Sequence, residues 1–241
     1  MKVLFVCGGS AGHVNPAIAI AEELRRKSPE SEILFAGADK TLEKKLVPEA
    51  GFGLVNIKMS GLRRGFTFRD LTHNLKTARN LFTAGFKSAK LLKDYKPDAV
   101  IGTGGYISYP VIKKASGKGI RTYLLEPNAH PGLAVRMLGG RVDKVFVAYK
   151  ELEDKYKHPD RVVYTGTPLR SEFLNIDGAS NISVKRGADI QFSVVFLLTH
   201  PARPPAPLAR PESPPPACLS LPESHGDGDS SPLHRRSACI C

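Results

Sequence analysis

Features that would place this sequence at once are scarce. Only four of its 241 residues are cysteine. Their spacing fits neither a zinc site nor a disulfide framework, and Cys218, Cys239 and Cys241 all fall after Leu174. Cys7 ends an apolar strand pattern and reads as a small buried hydrophobe. No apolar stretch reaches the roughly 18 residues that a membrane-spanning helix needs. No basic and apolar leader precedes the strand pattern Lys2-Val3-Leu4-Phe5-Val6-Cys7, so the chain is expected to start life in the cytoplasm. Aromatic residues are 7% of the total and accompany no RNA or DNA recognition motif. Nucleic acid is therefore not an expected partner. Nor is any cluster of metal-ligand spacing visible, and neither a metal nor another cofactor is expected.

What is abundant is unevenly placed. Of the 19 prolines, more than half follow Leu174, with most of those between Pro201 and Pro216. Residues 1–175 hold 29 basic and 17 acidic side chains, whereas residues 176–241 hold six of each. The whole formal charge of +12 thus belongs to the first part. A basic globular half calls for an anionic partner; nucleic acid, an acidic membrane surface and a phosphorylated substrate all satisfy that description, and net charge alone does not choose among them. The chain is expected to divide near residue 175.

Before that point, short apolar runs alternate with longer amphipathic segments. Strand patterns cover residues 2–7, 32–36, 54–58, 98–102, 121–125, 144–147 and 162–165. Helical patterns cover residues 14–27, 41–50, 69–95, 107–116, 133–138 and 150–156. This alternation predicts an α/β domain, a doubly wound parallel sheet with helices on both faces. Residues 176–241 predict a mostly disordered, proline-rich tail, with one isolated strand pattern at 191–198.

In a doubly wound sheet, ligands bind beyond the carboxyl ends of the strands. The first strand pattern runs into Gly8-Gly9-Ser10-Ala11-Gly12-His13, with a helix opening near Val14-Asn15-Pro16. Glycine lets the backbone approach a ligand closely, and a helix N-terminus offers unpaired N–H groups to an anion. Ser10 breaks the G-x-G-x-x-G dinucleotide pattern, and no Gly-Lys-Ser/Thr of a P-loop is present. His13, in or beside the first helical turn, is a candidate general base. A second glycine loop, Gly102-Thr103-Gly104-Gly105-Tyr106, follows the fourth strand, and Glu126-Pro127-Asn128 follows the fifth. Polar groups at three strand ends predict one pocket.

The same residues carry a specific resemblance. Gly8–His13 with Asn15-Pro16, Ser60-Gly61-Leu62-Arg63, Gly104-Gly105-Tyr106 with Ser108 and Pro110, Glu126-Pro127-Asn128 with Pro131-Gly132, and Gly166-Thr167-Pro168-Leu169-Arg170 stand in the order of the MurG family. Those are the UDP-N-acetylglucosamine–N-acetylmuramyl-(pentapeptide) pyrophosphoryl-undecaprenol N-acetylglucosamine transferases. The chain resembles them from Gly8 to Arg170 and departs at Ala11, Tyr109 and Pro127, where glycine, glycine and glutamine are usual.

The resemblance implies that residues 1–175 are the Rossmann-like, acceptor and membrane side of a two-domain glycosyltransferase. Residues 176–241 stand where a donor-binding domain is expected, so the chain alone is expected to be inactive. It implies UDP-N-acetylglucosamine as donor, an undecaprenyl-linked lipid precursor as acceptor, and a separate donor domain as a further partner. His13 matches the general base, and Ser10, Ala11, Gly12, Asn128 and Arg170 match contacts to the UDP-sugar. Gly9, Gly104, Gly105, Tyr106 and Glu126 are assigned to the acceptor pyrophosphate pocket. An alternative is a non-catalytic, membrane-recruiting subunit of a split transferase.

Such an enzyme is expected to sit peripherally on the cytoplasmic face of the plasma membrane. Leu62, Arg63, Arg64, Phe66 and Phe68 set apolar rings among cations, as an interfacial contact does. In the helix that follows, Leu71, Leu75, Ala78, Phe82, Gly85, Ala89 and Leu92 repeat at intervals of three and four, which predicts a core-facing stripe.

Overall fold

Apolar residues on both faces of every central strand call for helices on both faces of the sheet. The computed structural model describes residues 1–38, 42–59 and 68–170, with residues 68–79 given as backbone path alone. The tail from residue 176 onward lies outside them. Among the described residues, seven strands form one sheet: β1 (Lys2–Val6), β2 (Glu32–Ala38), β3 (Gly53–Ile57), β4 (Ala99–Gly102), β5 (Arg121–Glu126), β6 (Lys144–Val147) and β7 (Val162–Tyr164). The helices are α1 (Ala11–Lys27), α2 (Glu43–Glu49), α3 (Phe68–Tyr95), α4 (Ser108–Ser116) and α5 (Leu133–Leu138).

Side chains alternate across a strand, so β1 feeds two cores. Val3 and Phe5, with Cys7 beyond them, meet Val14, Ala17, Ile18, Ala21 and Leu24 of α1. Leu4 and Val6 point the other way, toward Ala84 and Leu92 of α3, Val111, Ile112 and Ala115 of α4, and Leu138 of α5. Phe5 stacks on Phe35 of β2 at 5.1 Å between ring centres.

All pairings are parallel, in the order β3-β2-β1-β4-β5-β6-β7. The chain builds outward from β1 to β3, then returns to add β4 on the other side of β1. That reversal is a topological switch point, where a crevice opens past the strand ends. In register, Val6 lies beside Ala36 and Gly102, and Gly102 lies beside Leu124. Four loops separated in sequence therefore leave the sheet side by side.

Three local expectations need correction. Helix α1 begins three residues earlier than the pattern around Pro16 indicates, because the Ser10 carbonyl accepts from His13 N (3.1 Å) and Val14 N (3.2 Å) and closes a turn ahead of the proline. Residues 150–155 form a 3-10 helix, since only Leu152 is buried and Pro159 lies just beyond. The stripe on α3 is displaced in part: Leu92 is buried as its spacing predicts, but Phe82 is 70% exposed, and Ala84 and Ser88 face inward instead. The side chains of Leu71, Leu75 and Ala78 lie outside the described residues. Small Ala84 and Ser88 let α3 pack closely on α4, which a phenylalanine at that contact would prevent.

Candidate active site

The first loop is shaped for close approach. Gly8 is buried, and Gly9 takes φ +97°, a conformation that side-chain-bearing residues rarely adopt. Ser10 is the N-cap of α1 with extended backbone, and its side chain makes no capping bond. The first N–H groups of a helix have no partner within it. Gly9, Ser10, Ala11 and Gly12 are all exposed, so this helix end faces outward as an anion site would require.

His13, the third residue of α1, is fixed by the loop after β4. Its Nδ1 lies 2.8 Å from the carbonyl oxygen of Thr103, and the Thr103 hydroxyl donates back to the His13 carbonyl at 2.6 Å. A carbonyl only accepts, so Nδ1 carries the proton and Nε2 is left with its lone pair. This is the tautomer that a general base at Nε2 needs.

Glycines bring the two loops into contact. Gly104 has φ +105°, and a Cβ there would meet the His13 ring at 2.6 Å. Gly105 has φ +78°, and its Cβ would overlap the Gly8 carbonyl oxygen. Tyr106 is half-buried beside Gly9. Burial first, and the charge of Glu43 second, push its phenol pKa up, so the hydroxyl keeps its proton as a donor.

Glu126, at the end of β5, is 1% exposed. Oε1 accepts from the Asn128 backbone N–H (3.0 Å) and from Asn128 Nδ2 (2.7 Å), and Oε2 accepts from Gly132 N (2.8 Å). The carboxylate therefore shapes the turn and aims Asn128, which is itself exposed.

Most candidate residues thus lie at the carboxyl ends of the neighbouring strands β1, β4 and β5, with the loops after β1 and β4 in contact. Arg170 does not join them. Its Nε lies 3.7 Å from Glu22 Oε1 on α1, nine residues beyond His13, or about 14 Å along the helix axis. Leu62, Arg63, Arg64 and Phe66 lie outside the described residues, and Phe68 only begins α3. Among the described residues, no three His, Cys, Asp or Glu side chains gather as a metal site would need.

Glu43 escaped the sequence reading. It is fully buried against the first loop, and its only sequence signal is the pair Gly8 and Gly37, whose missing side chains make room for it.

The model of the glycosyltransferase family 28 N-terminal domain matches residues 3–147. The UDP-N-acetylglucosamine--N-acetylmuramyl-(pentapeptide) pyrophosphoryl-undecaprenol N-acetylglucosamine transferase of Acetivibrio thermocellus is 42% identical over 176 residues, which are 73% of this chain and 47% of that protein. The protein of the same name from Caldanaerobacter subterraneus subsp. tengcongensis is 46% identical over 177 residues, with the same two coverages. The chain thus spans about half the length of the curated relatives it matches. The crystal structure of Acinetobacter baumannii MurG superposes with a TM-score of 0.53 at 26% identity, over 61% of this chain and 41% of that one. The family match runs from β1 through β6 and takes in both glycine loops and the turn after β5, so the chain belongs to glycosyltransferase family 28.

Proposed function

We propose that this chain is the acceptor-side half of an inverting glycosyltransferase of peptidoglycan synthesis. It moves N-acetylglucosamine from UDP-N-acetylglucosamine to undecaprenyl-pyrophosphoryl-N-acetylmuramoyl-pentapeptide. The single observation that carries this reading is His13, held by Thr103 with Nε2 free, at the mouth of two touching glycine loops.

In this scheme His13 Nε2 takes the proton of the acceptor hydroxyl as its oxygen bonds to the anomeric carbon of the sugar. The bond from that carbon to the diphosphate oxygen breaks, and UDP leaves with the electron pair. Helix N–H groups near Ser10, Ala11 and Gly12 stabilise the departing charge, and Asn128 orients the donor. Gly9, Gly104, Gly105 and Tyr106 hold the acceptor pyrophosphate, and Glu126 contributes through the turn it shapes. Arg170 reaches the donor by leaving Glu22. A separate domain supplies the remaining donor contacts.

The acceptor's lipid places the protein peripherally on the cytoplasmic face of an anionic membrane, through residues 62–68 and α3. Support comes from Phe82 and Phe86, which are 70% and 65% exposed and paired edge to face at 5.0 Å. Exposed Lys87 and Lys90 share their helix, and Lys113 and Lys114 lie on the adjoining α4. Among the described residues, no helix is long and apolar enough to cross a membrane.

The test joins residues 1–175 to the donor half of the Acetivibrio thermocellus relative and measures transfer from UDP-N-acetylglucosamine. The chain alone is expected to show none, because roughly 7–11 kcal/mol obtainable from positioning two reactants is missing. In the fusion, His13→Ala is expected to lower turnover about 100-fold to 10,000-fold, the range for losing a general base. A fully active His13→Ala fusion refutes the assignment of the base.

A further inference from the structure

Glu43, the first residue of α2, has no part in the scheme above, yet its side chain is fully buried. Its carboxylate bridges two strand ends. Oε1 accepts from Ala38 N at 2.8 Å at the end of β2, and Oε2 accepts from Gly9 N at 3.4 Å in the first glycine loop. A Cβ on Gly8 would lie 2.5 Å from Glu43 Oε1, and one on Gly37 would lie 2.5 Å from Glu43 Cγ. Both glycines are therefore the space that the carboxylate fills. From there the contacts run on: Gly105 presses on Gly8, Tyr106 lies beside Gly9, and Gly104 abuts His13.

Burying a carboxylate is costly unless hydrogen bonds compensate it, and here one compensating donor, Gly9 N, belongs to the loop, while the other, Ala38 N, anchors the carboxylate to the end of β2. We propose that Glu43 is a positioning residue for the first glycine loop, holding Gly8 and Gly9 so that the remaining N–H groups converge on a diphosphate. The inference rests on the reading of that loop as a diphosphate site.

Two effects of Glu43 oppose one another there. Its negative charge beneath the loop disfavours an anion, and its grip on Gly9 prepares the loop for one. Removing the charge alone would tighten anion binding; loosening the loop would weaken it. Positioning dominates, because donors already in place need no reorganisation when the anion arrives.

The experiment uses the full chain, isotopically labelled, with inorganic pyrophosphate as the probe. Amide exchange and pyrophosphate-induced shifts are compared among wild type, Glu43→Gln and Gly37→Ala. The second variant keeps the charge but drives the carboxylate out of place, from a residue outside the loop. Both are expected to raise exchange at Gly9 and to weaken pyrophosphate by about threefold to tenfold, the scale of one ordinary hydrogen bond. Tighter binding by Glu43→Gln, or unchanged binding with Gly9 still protected, overturns the proposal. If Glu43→Gln fails to fold, Gly37→Ala decides on the same two readouts. If wild type ignores pyrophosphate, the diphosphate reading falls, and exchange at Gly9 alone decides whether Glu43 holds the loop: unchanged protection in the variants refutes it, and faster exchange supports it.

Discussion

His13 and Thr103, ninety residues apart in sequence, exchange hydrogen bonds in both directions. The imidazole meets the Thr103 carbonyl at 2.8 Å, and the Thr103 hydroxyl meets the His13 carbonyl at 2.6 Å. The pair ties the loop after β1 to the loop after β4 and sets the ring's tautomer by a main-chain atom. Thr103→Val is thus expected to remove the hydroxyl contact and keep the tautomer. In the fusion described above, its turnover should fall far less than that of His13→Ala. An equal loss would show that the hydroxyl, rather than the carbonyl, sets the base.

Gly105→Ala is the sharpest test of the contact between the loops. Positive φ costs a side-chain-bearing residue about 1–2 kcal/mol, and the added Cβ would also overlap the Gly8 carbonyl. Urea unfolding should show a loss of at least about 2 kcal/mol. Unchanged stability would mean the loops are not in contact in solution.

Glu126→Gln replaces an acceptor-only group with one that must present N–H to a backbone donor. With three N–H groups aimed at this side chain, a loss of about 1–3 kcal/mol is expected. Asn128 should lose its orientation along with it. Thermal unfolding gives the first effect, and the Michaelis constant for the UDP-sugar in the fusion gives the second.

Phe82→Ser with Phe86→Ser should leave folding almost untouched, within about 0.5 kcal/mol, as exposed positions do. Partition into anionic vesicles is expected to drop tenfold or more, since burying each ring is worth about 1.5–3 kcal/mol. Added salt should weaken binding by wild type further through the lysines. Equal partitioning of variant and wild type would remove α3 from the membrane contact.

Tyr95 gives a pH prediction. Desolvation, then the charges of Glu32 and Asp98, push its phenol up to about 12 from 10, and its hydroxyl donates to the Glu32 carbonyl at 2.9 Å. The folded state holds this proton more tightly than the unfolded chain does. Its contribution to stability is therefore full below pH 10 and is lost as pH rises toward 12. Melting temperatures should fall across that window, less steeply in Tyr95→Phe, and absorbance titration should show one fewer late-ionising tyrosine.

The sequence by itself determined which segments are strands and, residues 150–155 apart, which are α-helices, because those depend on periodicity and turn residues close along the chain. It also located the glycine loops and His13, since in a parallel sheet such loops must sit at carboxyl strand ends. Which loops become neighbours was decided only in three dimensions. β1 lies between β2 and β4 because the chain reverses direction there, and that adjacency alone brings the Thr103 carbonyl to His13 and Glu43 to Gly9. The sequence placed Glu126 at the end of β5, and only the structure shows its carboxylate accepting from three N–H groups of its own turn. Phe82 fitted a core stripe by spacing, yet the helix turned its small residues inward. Spacing along a helix ranks faces by hydrophobicity, whereas packing against α4 selects them by size, and close approach favoured Ala84 and Ser88.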